Sequence, residues 1–314
     1  CVSASTLALS GTPSGGSFSG PGVSGNNFNA SVAGTGSKII TYTYTDGNGC
    51  TNSATTNIIV NALPIVNAGM YPAQCFTNTM LALEGSPMGG TFSGPGVTGN
   101  NFDASVAGVG THTITYSYTD GNGCSNSATT SITVNALPVV SAGMYPAQCV
   151  SSTMLALSGT PSGGTFSGPG VSGNNFDASI AGVGTHTITY DFTNGSGCSN
   201  SATTSITVNA LPMVSAGSYT AQCVSSTVLP LAGSPMGGSF SGPGVMGNNF
   251  NAMTAGAGSH TIVYTYTDGN GCTNTAFTGI TVNALPTAGI SSTSDCGGAN
   301  TTLTASGGTM YSWS

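Results

Sequence analysis

The cysteines are the residues best placed to do chemistry, and their spacing recurs along the chain. Cys1, Cys75, Cys149 and Cys223 stand 74 residues apart, and Cys50, Cys124, Cys198 and Cys272 follow each of them by 49. Cys296 opens a fifth interval, 73 residues on, whose partner position is not reached. No C-x-x-C occurs and no cluster of histidines adjoins them, so the chemistry they point to is disulfide formation in an oxidising compartment, not zinc binding or thiol catalysis. Cys1-Val-Ser matches Cys149-Val-Ser in register, so Cys1 reads as a repeat cysteine and not as a lipidated first residue.

Two pairing schemes fit the count. Pairing inside each repeat gives Cys1–Cys50, Cys75–Cys124, Cys149–Cys198 and Cys223–Cys272 and leaves Cys296 over. Pairing across the junctions, Cys50 with Cys75 and onward, leaves Cys1 over instead. A loop of about 50 residues stabilises by about 4 kcal/mol and one of about 26 by about 3.5 kcal/mol, a gap too small to decide. Independent small modules need their own staples, so the expected scheme is the one inside each repeat.

Other recurring residue sets stand beside the cysteines. Asp46 with Asn48, Asp120 with Asn122 and Asp268 with Asn270 have the alternating oxygen ligands that open a calcium loop, and are the chain's calcium candidates. The downstream bidentate carboxylate of such loops is missing, and the third repeat carries Asn194 and Ser196 instead, so the pattern reads as a hairpin turn. His112, His186 and His260 hold one position, where the first repeat has Lys38; without an acidic partner at fixed spacing they read as neighbours of a turn, not catalytic bases. Lys38 cannot found a general Lys–Asn crosslink, since the other repeats lack it. Gly15-Gly16-Ser17-Phe18-Ser19-Gly20-Pro21-Gly22 lacks the Gly-Lys-Ser/Thr and the helix of a phosphate loop, and no triplet period makes it collagen. Tyr42/Tyr44, Tyr116/Tyr118, Tyr190/Phe192 and Tyr264/Tyr266 could stack on sugars, but they share phase with Ile114 and its counterparts, which marks a core face. Met70-Tyr71-Pro72 and Met144-Tyr145-Pro146 lie between linker and cysteine, where packing against the preceding domain is expected.

The elements that must position these residues are short strands. Four self-similar intervals mean a linear array of small domains. In the second repeat, Thr79 to Leu83, Thr91 to Ser93 and Asn101 to Ala104 are short strands set off by Gly/Pro-rich turns. His112, Ile114, Tyr116 and Tyr118 alternate with Thr113, Thr115, Ser117 and Thr119 as in a half-buried strand, Asp120-Gly-Asn-Gly123 turns the chain, and Cys124 to Val134 returns. Nothing has helical period. The pattern describes a small antiparallel sandwich. Asn-Ala-Leu-Pro at 61–64, 135–138, 209–212 and 283–286 joins the units. Proline makes these linkers stiff, so a rod gaining on the order of 30 Å per domain is expected. The expected domains are 1–62 (its first strand missing), 63–136, 137–210 and 211–284, with 285–314 the start of a fifth, divergent and incomplete repeat.

Composition excludes several functions. Charged residues make up 3% of the chain, with one Lys and no Arg. Such a chain cannot neutralise a phosphate backbone or attach to a membrane through a basic patch. A net charge of −7 over 314 residues repels weakly, so lateral association is plausible. No apolar run approaches the ~20 residues of a membrane span. The sequence opens and closes inside repeats and reads as a segment of a longer polypeptide.

Gly89-Gly90-Thr91-Phe92-Ser93-Gly94-Pro95-Gly96-Val97, Ala107-Gly108-Val109-Gly110-Thr111, Asp120-Gly-Asn-Gly-Cys124 and Ile132-Thr-Val-Asn135 resemble the immunoglobulin-like repeats of large secreted Bacteroidota cell-surface proteins, over residues 1–286. The stretch from Asp295-Cys296 to Trp313-Ser314 resembles another subtype of that family. The resemblance implies an all-β tandem array of immunoglobulin-like sandwiches, secretion by the type IX route, surface anchoring and adhesive roles. The expected function is a non-enzymatic extracellular stalk of a bacterial surface adhesin, without cofactor, whose partners are the neighbouring repeats of its own chain. The repeats from Cys75 and Cys149 differ at 15 of 74 positions, which suits interchangeable spacers. The alternative is a subunit that assembles laterally or head to tail into an extracellular filament or sheath, with residues 287–295 completing the first repeat of another copy. A carbohydrate-binding or enzymatic module would need a non-recurring residue set, which residues 1–286 do not offer.

Overall fold

Strand periodicity in the sequence becomes strand in the computed structural model, which describes residues 1–292 and 303–306. The chain is an all-β tandem array of small immunoglobulin-like sandwiches. It divides into two compact units, one made of residues 1–139 with 192–200, the other of 140–191 with the residues from 201 on.

The second repeat, within the first unit, shows the build. Its main sheet has the order Gln74–Cys75, Ser125–Asn135, Gly110–Thr119, Thr91–Ser93. The long hairpin pairs Gly110 with Val134 through Thr119 with Ser125, and Gln74–Cys75 lies parallel to the end of Ser125–Asn135, with Cys75 opposite Asn135. A smaller sheet, Val97–Thr98, Asn101–Asp103 and Met80–Ala82, covers one face. Between them sit Leu83, Phe102, Ala104, Ile114, Ile132 and Val134, all buried. Ile114, Ile132 and Val134 come from alternate positions of the hairpin strands, so the period of two in the sequence is the period of burial.

A four-residue helix, Ala104–Ala107, interrupts this β pattern, with counterparts at Ala30–Ala33, Ala178–Ala181 and Ala252–Ala255. It is too short to leave a 3.6-residue signature, but its ends are marked: Asp103 caps the N-terminus by accepting from Ser105 N–H at 2.8 Å, and Gly108 ends it at φ 87°. Asp103 is held below the ordinary carboxylate range, first by the Ser105 hydroxyl and then by backbone N–H groups. His112 Nε2 lies 2.8 Å from the Gly108 carbonyl; since a carbonyl only accepts, the ring donates there and ties the helix end to the strand.

Tyr71 does not pack on the preceding domain, as its place between linker and cysteine suggested. Its ring joins the core of its own repeat, and its hydroxyl meets Ala68 O, Glu84 O and Glu84 N–H at 2.8–3.0 Å. Tyr145 does the same in the third repeat, at Ser158. The cause is local: Asn67 bridges Ser86 and brings this stretch across the mouth of its own sandwich, with Ala68 buried. Met70 and Met144, between these anchors, are 95% and 94% exposed. In the first repeat Leu9 and Tyr42 are half-buried where Leu83 and Tyr116 are buried.

Candidate functional site

The hairpin turn is built to hold a cysteine. In the second repeat Asp120 Oδ1 accepts from Asn122 N–H at 2.9 Å and from Cys124 N–H at 2.8 Å, while Asp120 N–H donates to Cys124 O at 3.0 Å. Gly123 takes φ 78°, a conformation a side chain would strain. The Cys124 N–H, followed by that of Asn122, holds the Asp120 carboxyl below its ordinary range; the Cys50 N–H acts alike on Asp46. In the third repeat Asn194 accepts from Ser196 and Cys198 N–H at 3.0 Å each, so the turn needs an acceptor oxygen and not a charge. Oδ1 of each carboxylate proposed by spacing as a calcium ligand, Asp46, Asp120 and Asp268, is thus engaged by two backbone donors. Among the described residues no group of three or more His, Cys, Asp or Glu could hold a metal ion.

The other cysteine of each repeat has a different seat. Cys149 lies opposite Asn209 in the parallel pair, Val150 N–H donates to Asn209 O at 2.9 Å, and Cys149 N–H donates to Ser152 Oγ at 2.9 Å. This seat is at the linker end of the long hairpin, whereas the second cysteine stands at its turn. In the second repeat, Ser125–Asn135 separates the two, and 11 residues of strand span about 35 Å. A disulfide needs Cα atoms within about 7 Å, so Cys75 cannot reach Cys124.

The pairing accordingly differs from both schemes that spacing allowed. The bridges are Cys1–Cys124, Cys75–Cys198 and Cys149–Cys272, each joining residues 123 apart with Cα atoms 5.4–5.6 Å apart. The linker-end cysteine of one repeat bonds the turn cysteine of the next. Cys50 and Cys223, expected in bridges, are free and exposed; Cys296 and Trp313 lie outside the described residues. The bridged turn cysteines Cys124, Cys198 and Cys272 are fully buried.

A second contact recurs at each joint and was missed in the sequence. Asn126, Asn200 and Asn274, two residues after the turn cysteine, each donate from Nδ2 to a linker proline carbonyl, Pro64, Pro138 and Pro212, at 2.9 Å. The signal was present as Cys-x-Asn at every turn, with Asn52 in the first repeat. Asn194 adds a longer bond to Ala136 O.

The remaining candidates are built into the fold. Tyr116 is buried, stacks at a tilt on Phe92 with centroids 4.5 Å apart, accepts from Gly90 N–H at 2.8 Å and donates to Pro87 O at 2.5 Å. Tyr190 and Tyr264 repeat the arrangement. A shallow cleft of about 360 Å³ lies over Tyr116, Phe92 and Gly90, but the tyrosine hydroxyl on its floor is already used twice. His186 and His260 donate to Gly182 and Gly256 carbonyls as His112 does. Lys38 occupies the same position in the first repeat, with no counterpart bond.

No protein-family model and no curated protein sequence matches the chain. Among solved structures, it is similar to a Ca2+-stabilised adhesin of an Antarctic bacterium that binds ice (14% identity, 82% of this chain and 85% of that one, TM-score 0.35). It is also similar to the insect immune protein hemolin (11% identity, 89% and 96%, TM-score 0.24) and to Drosophila N-cadherin EC1-4 (11% identity, 88% and 94%, TM-score 0.22).

Proposed function

We propose that the chain is a non-enzymatic extracellular structural repeat region, the stalk of a bacterial surface adhesin, with module boundaries near residues 62, 136, 210 and 284, and that its specific property is resistance to lengthening under load. The observation that carries this reading is the offset of the bridges. Tension applied between Cys1 and Cys272 does not run through the whole chain. It crosses Cys1–Cys124, follows 124–149, and crosses Cys149–Cys272. Those 25 peptide steps can extend to about 90 Å at most, and Ser125–Asn135 within them is already strand. Unfolding a module therefore adds no more length than this segment can give while the bridges hold.

Three further features support the reading. Disulfides recurring at every module belong to an oxidising exterior. The residues that recur are those of turns, core and joints. Interchangeable modules suit a spacer. Filament assembly is a second reading, favoured by the free Cys50 and Cys223.

Single-molecule stretching between handles at residues 1 and 272 tests the proposal. Oxidised protein should show no unfolding step longer than about 90 Å, and reduced protein should release about 250 Å per module of 74 residues. Full-length steps from oxidised protein would overturn it.

A further inference from the structure

We propose that Cys50 and Cys223 are the two open halves of the same interlocking bridge: Cys50 takes the linker-end cysteine of a module set before the first repeat, and Cys223 takes the turn cysteine of a module set after the fourth. The inference rests on the register of the bridges and not on the stalk reading.

Both half-sites are already formed. Cys50 sits in the turn that holds bridged Cys124: Asp46 Oδ1 accepts from Asn48 N–H at 2.8 Å and from Cys50 N–H at 2.9 Å, and Asp46 N–H donates to Cys50 O at 3.0 Å. Cys223 sits in the seat of bridged Cys149: it lies opposite Asn283, Val224 N–H donates to Asn283 O at 3.0 Å, and Cys223 N–H donates to Ser226 Oγ at 2.9 Å. The bridged turn cysteines Cys124, Cys198 and Cys272 are fully covered, while Cys50 in the same turn is exposed. The Cys-x-Asn pair is also in place, with Asn52 where Asn126 reaches Pro64. A turn cysteine and a linker-end cysteine are complementary by construction, so the ligand of each thiol is the other kind of thiol. Closure by a small-molecule disulfide such as oxidised glutathione balances: two thiols lose two protons and two electrons, one S–S bond forms, and glutathione disulfide leaves as two reduced glutathiones.

The complementary thiol can belong to another copy or to a further module of the same chain, and two arms separate these. In the first, the full chain carrying Cys296→Ser is prepared with Cys50→Ser or with Cys223→Ser. The two are oxidised with glutathione disulfide, alone and mixed, with circular dichroism confirming that each folds. A disulfide-linked species of doubled mass in the mixture only, with a Cys50–Cys223 cross-linked peptide, identifies a second copy. In the second arm, residues 1–74 are placed ahead of residues 1–314, which sets the added Cys1 at the 123-residue register from the original Cys50. Loss of iodoacetamide labelling at that Cys50, with labelling now at the added Cys50, identifies a module of the same chain. The proposal is overturned if the mixture gives no heterodimer and the original Cys50 of the extended chain still alkylates. Self-dimers of either single variant as abundant as the mixed product would equally overturn it.

Discussion

Cys124 is bonded to Cys1, in the repeat before it, with Cα atoms 5.4 Å apart, while Cys75 of its own repeat stands opposite Asn135 at the other end of the strand that Cys124 precedes. Each inner repeat is thereby tied to both neighbours, and the staple that a small sandwich needs is also the joint. Stability and connection are one feature. Replacing Cys75 and Cys198 together by Ser should lower the unfolding free energy by about 2–4 kcal/mol, read from urea denaturation. Stretching between residues 1 and 272 should stay within about 90 Å, because the path through Cys1–Cys124, 124–149 and Cys149–Cys272 is untouched. An unchanged denaturation curve would show that the bridge does not constrain the unfolded chain.

Tyr116 carries the next test. Tyr116→Phe keeps the ring against Phe92 but removes the acceptor of Gly90 N–H and the bond to Pro87 O. A loss of about 1–3 kcal/mol is expected. Gly90→Ala should cost as much or more, because its Cβ would meet Ser117 O at 2.4 Å and the Tyr116 ring at 2.5 Å. Thermal unfolding of both variants reads the effect, and a neutral Gly90→Ala would mean the turn can move aside.

Acid should act through the turn carboxylates. The folded pKa of Asp120 is depressed by the Cys124 N–H, so its contribution to stability is full above the ordinary value of 3.8 and is lost as pH falls through the lowered value. Asp120→Asn, the arrangement already present at Asn194, should keep the turn at neutral pH and flatten the loss of stability below about pH 4. The measurement is the melting temperature of both forms from pH 7 to pH 2; parallel curves would remove the carboxylate from the account.

The same turn answers for calcium. With Asp120 Oδ1 accepting two backbone N–H groups and an amide doing the same work in the third repeat, chelation by EDTA should leave the melting temperature unchanged. A rise on adding calcium that Asp120→Asn abolishes would restore these residues as ligands.

Asn126→Ala should weaken the first joint without touching either sandwich core. Loss of the bond to Pro64 O is expected to cost about 0.5–1.5 kcal/mol, and to raise amide hydrogen exchange in the 61–64 linker. Protection unchanged in that linker would mean that the disulfide alone orders the joint.

Much of the fold was legible because its causes are local. Alternation around Ile114 and Ile132 gives the long hairpin, and Gly and Pro mark its turns. The short helix was not, since four residues complete barely one turn, yet Asp103 and Gly108 at its ends were readable as caps. The disulfide partners were hidden for another reason. Spacing gives loop lengths, and loop lengths barely change closure entropy. What decides is that Cys124 follows a turn while Cys75 pairs beside Asn135, and that parallel contact spans 60 residues of sequence with no local signal. Tyr71 failed likewise: its position beside the linker suggested a joint, while its partners, Ala68 and Glu84, belong to its own module.

Cyanogen bromide cleavage of the denatured, unreduced protein tests the offset pairing most directly, because the methionines place the two cysteines of each inner repeat in separate fragments. Interlocked bridges predict fragment 1–70 joined to 89–144, 71–80 joined to 155–213, and 145–154 joined to 254–310, by mass spectrometry. Fragment 71–80 joined to 89–144, with 145–154 joined to 155–213, would place the bridges inside single repeats and contradict the account.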